Sequence, residues 1–450
     1  MIFWVLPGCN KKKFLDTIPN SDLFVPATLE DFQALLDNES VMNETPTLGE
    51  LSTDNFYLLQ GYWQNLPAKE KNAYIWLSDV FQGQGDVLDW NTPYKQVFHA
   101  NIILDGLPKV TITNNNEQSW KAIKGAALFA RAHAFYNVAQ IFAPVYDSRT
   151  AATDLGIPVR LHSGVDEVST RSTLQATYDR IIMDLQESAT LLPLNIPLSN
   201  NRLRPCKQAA FALLARVYLS MSAFPQAKIY ADSCLRLYDS LINYNSPGIP
   251  INTPLPFARS NTETLYQSRF LSVTNTVLRG FGSKSSYIDS GLYNSYAVND
   301  LRKQAFFTNG TPPILKGTYT GNFSCFTGLA IDEVYLIRAE CQARAGNVTD
   351  AMKDLNTLME KRWRAGFFIP FTAPDAASAL AIILEERRKE LPFRGLRWTD
   401  IRRLNLTEIN KITLTRKLDL SYSLPPGDLR YVLFIPPDVI SRSGMPQNPR

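Results

Sequence analysis

The chain has 450 residues, 46 of them basic and 42 acidic, for a formal net charge of +4. Hydrophobic residues make up 45% and charged residues 20%, with 22 Gly and 28 Pro. That balance excludes collagen, a low-complexity linker, a disulfide-dense miniprotein and a disordered acidic tail. Charges of both signs are interspersed, which leaves no broad face for a phosphate backbone and argues against nucleic acid as a partner.

The chain opens on MIFWVLPGC, a short apolar run closing on Leu6, Pro7, Gly8 and Cys9, followed at once by Asn10 and three lysines. This resembles the lipobox of a bacterial lipoprotein signal, shortened at its start, in which Cys9 carries the lipid after cleavage. Residues 1–8 are then expected to be a truncated signal and 9–25 a lipidated arm. A multiply acylated cysteine holds a protein stably on a membrane at about 0.8 kcal/mol per buried methylene. No later stretch approaches the ~18 consecutive apolar residues of a membrane span. Cys206, Cys234, Cys325 and Cys341 lack CxxC spacing, so buried free thiols are expected over any of the three ways of pairing them.

Apolar residues recur at helical spacing over most of the remainder, and the chain reads as mainly α. The first strong helix is expected over 117–141, where Trp120, Ile123, Ala127, Ala130, Ala134, Val138 and Ile141 share a stripe. Helices at 173–192, 205–222, 225–241, 331–345 and 349–364 follow. Connections of two or three residues within the last two pairs require antiparallel packing. Those pairs superpose at an offset of 124 residues, Ala215 on Ala339 and Ala227 on Ala351, in the manner of tetratricopeptide units. Gly346 suits the positive φ that follows a helix, and Asn347 is placed to cap the next one. Leu380, Ile383, Leu384, Arg387 and Leu391 mark a further helix face, ended by Pro392. Its "EERRKE" cluster has mixed signs, so it is expected to be a solvated, self-paired surface with Glu385 and Lys389 as an i, i+4 pair.

Two regions lack that period. Residues 51–91 are dense in aromatics: Phe56, Tyr57, Tyr62, Trp63, Tyr74, Trp76, Phe81 and Trp90. Residues 243–328 are rich in Gly, Pro, Asn, Ser and Thr, with Tyr266, Tyr287, Tyr293, Tyr296, Tyr319 and Phe323 scattered through them. Such a stretch is too long for a connection and is expected to be a loop-rich face with short strands, where binding residues concentrate.

Several strings in order over nearly the whole chain resemble the SusD/RagB family of outer-membrane nutrient-binding lipoproteins. They include "FLDTIP", "YKQVFHANIIL", "ARAHAFYNVAQIFAPVY", "RPCKQAAFALLARVYL", "DEVYLIRAECQARAGNVTDAMKDLN" and "ILEERRKELPFRGLRWTDIRRL". The resemblance implies a single SusD-like domain over 26–450, with tetratricopeptide-like helix pairs carrying long loop-rich insertions. It also implies a non-catalytic protein at the outer-membrane surface that captures an oligosaccharide, or in some branches a peptide, and delivers it to a TonB-dependent transporter of the SusC/RagA kind. The chain departs from the family at Arg394, where Glu is usual in F-E-G-x-R. The missing carboxylate is expected to leave Arg397 or a neighbouring arginine without its partner.

A glycan site needs flat rings to stack on apolar C–H faces and short polar side chains to meet hydroxyls. Trp63, Tyr74 and Trp76, with Asp54 and Asn55 nearby and Tyr296 from the second region, supply both, against the competing expectation that aromatics are core. Trp120 and Trp398 are assigned to structure. No GxSxG, HExxH, P-loop or GxGxxG is present, and His99, His133 and His162 are too scattered for a zinc site, so neither catalytic residue, metal nor cofactor is expected. Two rival readings are a helical glycoside hydrolase, needing paired carboxylates, and a tetratricopeptide scaffold that binds only protein.

Overall fold

A computed structural model describes residues 26–164, 166–194, 202–271, 277, 286–408 and 410–450. Cys9 and the arm 9–25 lie outside the described residues. The long helices are α1 (Leu88–Gly106), α2 (Glu117–Phe142), α3 (Leu174–Leu191), α4 (Lys207–Ser220), α5 (Phe224–Leu237), α6 (Ile331–Arg344), α7 (Val348–Glu360), α8 (Ala376–Glu390) and α9 (Arg397–Thr407). They agree with the expected spans to within a few residues at most ends. Consecutive helices from α1 to α7 pack on one another, and α8 returns against α6. No helix among the described residues is long and apolar enough to cross a membrane.

Local chemistry explains the starts and stops. Thr173 caps α3 by accepting from the Ala176 amide, and Asp375 caps α8 by accepting from Ser378. Gly346 follows α6 at φ +82°, the left-handed turn that lets α7 fold back at once. The side chain of Asn347, expected to cap α7, makes no such bond. Gly125 lies inside α2, where a Cβ would stand 3.1 Å from the side chains of Leu191 and Leu192. Its absence lets the end of α3 approach closely enough for Ser188 to donate to the Gly125 carbonyl at 2.7 Å.

The helix stack is riveted by buried arginines. Arg131 on α2 grips Asp184 on α3 through two bonds of 2.8 Å and donates to Asn101 on α1 at 2.9 Å. Arg216 on α4 holds Glu333 on α6 at 2.9 and 2.6 Å, and Arg403 on α9 holds Glu340 on α6 at 2.6 and 2.8 Å. Bidentate geometry fixes orientation as well as distance, so each pair sets how two helices meet.

The cluster on α8 departs from expectation. Glu386, Arg387, Lys389 and Glu390 are buried, and only Glu385 of the group is exposed. Arg302 reaches Asp300, Glu386 and Glu390 at 2.6, 2.5 and 3.2 Å, while Arg362 joins Glu390 to Glu263 at 2.7 Å each. Lys389 bonds Glu386 at 2.7 Å, not Glu385. Mixed signs satisfy one another inside the protein here because the 243–328 region folds over α8 and supplies Glu263, Asp300 and Arg302.

Among the described residues, eight short strands pair as four two-stranded sheets. β1 (Glu44–Thr45) runs parallel to β4 (Arg269–Phe270), β2 (Phe56–Leu58) antiparallel to β5 (Ser286–Ile288), β3 (Thr264–Tyr266) antiparallel to β6 (Leu329–Ala330), and β7 (Leu414–Lys417) antiparallel to β8 (Ser421–Leu424). Region 51–91 is more regular than its sequence suggests, with short helices at Gln60–Gln64 and Ala68–Tyr74. Cys206, Cys234, Cys325 and Cys341 are all buried, and Cys206, Cys234 and Cys341 are free thiols.

Candidate functional site

The two aromatic regions meet at β2 and β5, in the register Phe56 with Ile288, Tyr57 with Tyr287 and Leu58 with Ser286. Alternation along β2 sends Phe56 and Leu58 into the core and Tyr57 outward. Tyr57, 37% exposed, and half-buried Tyr287 form a directly opposed cross-strand pair, their ring centroids 5.6 Å apart and the rings tilted by 39°. Leu59, 54% exposed, and the exposed Gln60 continue the surface.

The side chains expected to contact a ligand lie beneath this surface. Trp63 is buried and donates Nε1–H to the Lys71 carbonyl at 3.0 Å. The Tyr74 hydroxyl accepts from the Leu58 amide at 2.9 Å, tying β2 down from below. Trp76, at φ +56°, donates to the Ser52 carbonyl at 3.0 Å. The Arg416 guanidinium of β7 sits 4.3 Å from the Tyr74 ring centroid and 4.8 Å from that of Trp76. Tyr296 lies apart, buried over α8, where its hydroxyl donates to the Lys389 carbonyl at 2.6 Å. The expectation that these four rings form an open stacking face is therefore corrected: large aromatics next to short strands supply the apolar floor.

Asp54 and Asn55 also hold the surface in place. Asp54 accepts from Arg397 at 2.7 Å on both oxygens and from Arg388, whose guanidinium also stands 3.6 Å from Asp289. Burial alone would raise the Asp54 carboxyl, but the bonds and charge of Arg397, helped by Arg388, outweigh it and hold it at about 2. Asn55 donates its side-chain amide to Glu50 at 2.9 Å, and its carbonyl accepts from the Asp289 amide at 3.0 Å. One residue thus bridges the segments leading into β2 and out of β5. Burial pushes Glu50 up to about 7 against the bonds it accepts from Asn55, Thr53 and the Gly395 amide.

This network also answers the departure at Arg394. Arg397 is not left unpaired: Asp54 is its partner. Arg394 takes Asp332 at 3.1 Å, with its guanidinium 4.5 Å from the Phe326 ring centroid. A cation in place of the usual Glu is accommodated because a different acid, brought in on α6, meets it.

Sequence reasoning named Tyr57 and Tyr287 among the aromatics of the two regions without singling them out. The period-two run Phe56, Tyr57, Leu58 is the local signal that one ring faces away from its neighbours. Nothing local reports that residue 287 lies opposite residue 57.

Residues 13–219 match a SusD-like family described as starch-binding and associating with the outer membrane, and residues 331–425 match the SusD/RagB family. The chain is 24% identical over 419 residues to SusD-like protein P2 of Formosa agariphila, covering 80% of this chain and 79% of that one. Among solved structures it is similar to a putative sugar-binding protein of Bacteroides vulgatus, with TM-score 0.75, 20% identity and coverage of 95% and 99% of the two chains. A laminarin-binding SusD-like protein superposes with TM-score 0.68 at 17% identity, covering 93% and 97%. Matched family models at both ends of one continuous helix stack, carrying the same ordered motifs, establish that the chain belongs to the SusD/RagB family.

Proposed function

We propose that this protein is a non-catalytic glycan-binding lipoprotein, anchored through Cys9 at the outer-membrane surface, that captures an oligosaccharide and hands it to a SusC-like TonB-dependent transporter. The observation that carries the reading is the opposed pair Tyr57 and Tyr287, the rings that cross-strand pairing turns outward over an otherwise buried aromatic floor. Pyranose C–H faces stack on such rings, while Gln60 and Asp289 beside them can meet hydroxyls. Starch binding in the matched family description and laminarin binding in a structural relative support glycan as the ligand class. Trp63, Tyr74, Trp76, Asp54 and Asn55 contribute by fixing the platform's shape, which limits the ordering cost of binding.

Titration calorimetry of the purified protein against laminarin and starch oligosaccharides and against oligopeptides tests the proposal, with product analysis after incubation. Saturable glycan binding without breakdown is expected. Tyr57→Ala is expected to weaken it roughly tenfold, and the double variant with Tyr287→Ala to abolish it, at unchanged thermal stability. Binding of peptides alone would replace the ligand class, and release of shorter sugars would replace the carrier with a hydrolase.

A further inference from the structure

A cavity of about 310 Å³ lies elsewhere, between α1, residues 158–164 with Ser169, and the C-terminal segment, with no wall from β2 or β5. Its walls are of two kinds. Along α1, Trp90 and Tyr94 pack with ring centroids 4.8 Å apart, and Phe98, one turn further on, is 40% exposed at the mouth. Opposite stand Arg160, His162 and Ser169.

The polar wall is held in position before any ligand arrives. The Tyr94 hydroxyl donates to the Pro158 carbonyl at 2.8 Å, and the buried Asn101 amide donates to the carbonyls of Arg160 and His162 at 3.0 and 3.2 Å. His162 Nδ1 sits 3.1 Å from Asp105 Oδ1, so that nitrogen carries a proton, and in the neutral imidazole Nε2 is the acceptor, on a side chain 76% exposed. Ser169 accepts from Arg160 at 2.9 Å, leaving its own hydroxyl proton to donate. At the rim Arg160 stands 4.0 Å from Glu167, and the Asp105 carboxylate accepts from His162 Nδ1 and from the Ser163 amide and hydroxyl. With the imidazole neutral, two carboxylates face one guanidinium, so an anionic ligand is disfavoured there.

An exposed ring, an oriented acceptor and a hydroxyl donor around the cleft match the surface of an uncharged sugar. We infer that this cleft is a second carbohydrate site, separate from the Tyr57–Tyr287 platform, which takes one neutral pyranose unit with its C–H face on Phe98 and its hydroxyls on His162 Nε2 and Ser169 Oγ. The site stands or falls independently of the platform, because the two share no strand or loop.

Saturation-transfer NMR with methyl β-D-glucopyranoside on the Tyr57→Ala, Tyr287→Ala double variant isolates the cleft. Transfer to the sugar ring protons is expected to persist in that background. Adding Phe98→Ala should abolish it, adding Phe98→Tyr should preserve it, and adding His162→Ala should weaken the affinity roughly tenfold, as for one lost hydrogen bond. Thermal melts establish that each variant is folded, which the exposure of both side chains favours. Absence of transfer in the double variant, or transfer that survives Phe98→Ala or His162→Ala unchanged, would overturn the assignment whatever the platform does.

Discussion

Asp54 shows how a residue chosen for contact with a ligand can serve the scaffold instead. A short acid beside aromatics in a loop region has the chemistry of a sugar ligand, yet here both of its oxygens are taken by Arg397. Its carboxyl is held below the ordinary value, so its contribution to stability is full above about pH 4 and is lost as pH falls toward about 2. Asp54→Asn is expected to cost roughly 2 kcal/mol at pH 7, a gap that narrows below about pH 4 and closes only as pH falls through about 2. Urea unfolding of both proteins across that range measures it, and a gap constant with pH would contradict the assignment. Tyr57 is the converse case: its type and neighbours resemble those of buried Tyr74, and the pleat of a three-residue strand alone turns it outward.

At the scale of the element, α8 is where composition misleads most. Six successive residues of mixed charge are ordinarily a solvated helix face. In this protein Glu386, Lys389 and Glu390 face Asp300 and Arg302, which come from the 243–328 region that packs over the helix. Removing one partner leaves like charges buried together, and the penalty is far larger than the pair's own worth. Arg302→Met is expected to destabilise the protein by about 3–5 kcal/mol, whereas Arg149→Met, on a surface pair with Asp147, should leave stability unchanged within error. Denaturant midpoints for the two variants decide this, and similar midpoints would mean that the buried network is mostly hydrated. Elements whose period is purely apolar behave as read: α2 begins at Glu117 as expected and ends one residue beyond the expected Ile141.

For the molecule as a whole, the main hydrophobic cluster runs from Leu29 through the helix stack to Met445 and takes in residues from both aromatic regions. A smaller cluster of α6, α7 and α8 packs beside it, and the Arg216–Glu333 rivet ties α4 to α6 across the chain. Calorimetric unfolding is therefore expected to be a single transition. Two resolved transitions would divide the chain into separate units.

The helical class, the positions of the long helices, the repeat of helix pairs and the family are legible in residue order alone. Those depend on periodicity and on motifs contained within a few turns of chain, where side-chain spacing and helix geometry are the same thing. Which aromatics face outward, where Arg394 and Arg397 find their acids, and the interior place of the charged face of α8 emerge only in the folded chain. Each of these is settled by a partner tens to hundreds of residues away, as Tyr287 is for Tyr57 and Asp54 for Arg397. Burial and ion pairing belong to the contact, not to either residue, so no local pattern records them.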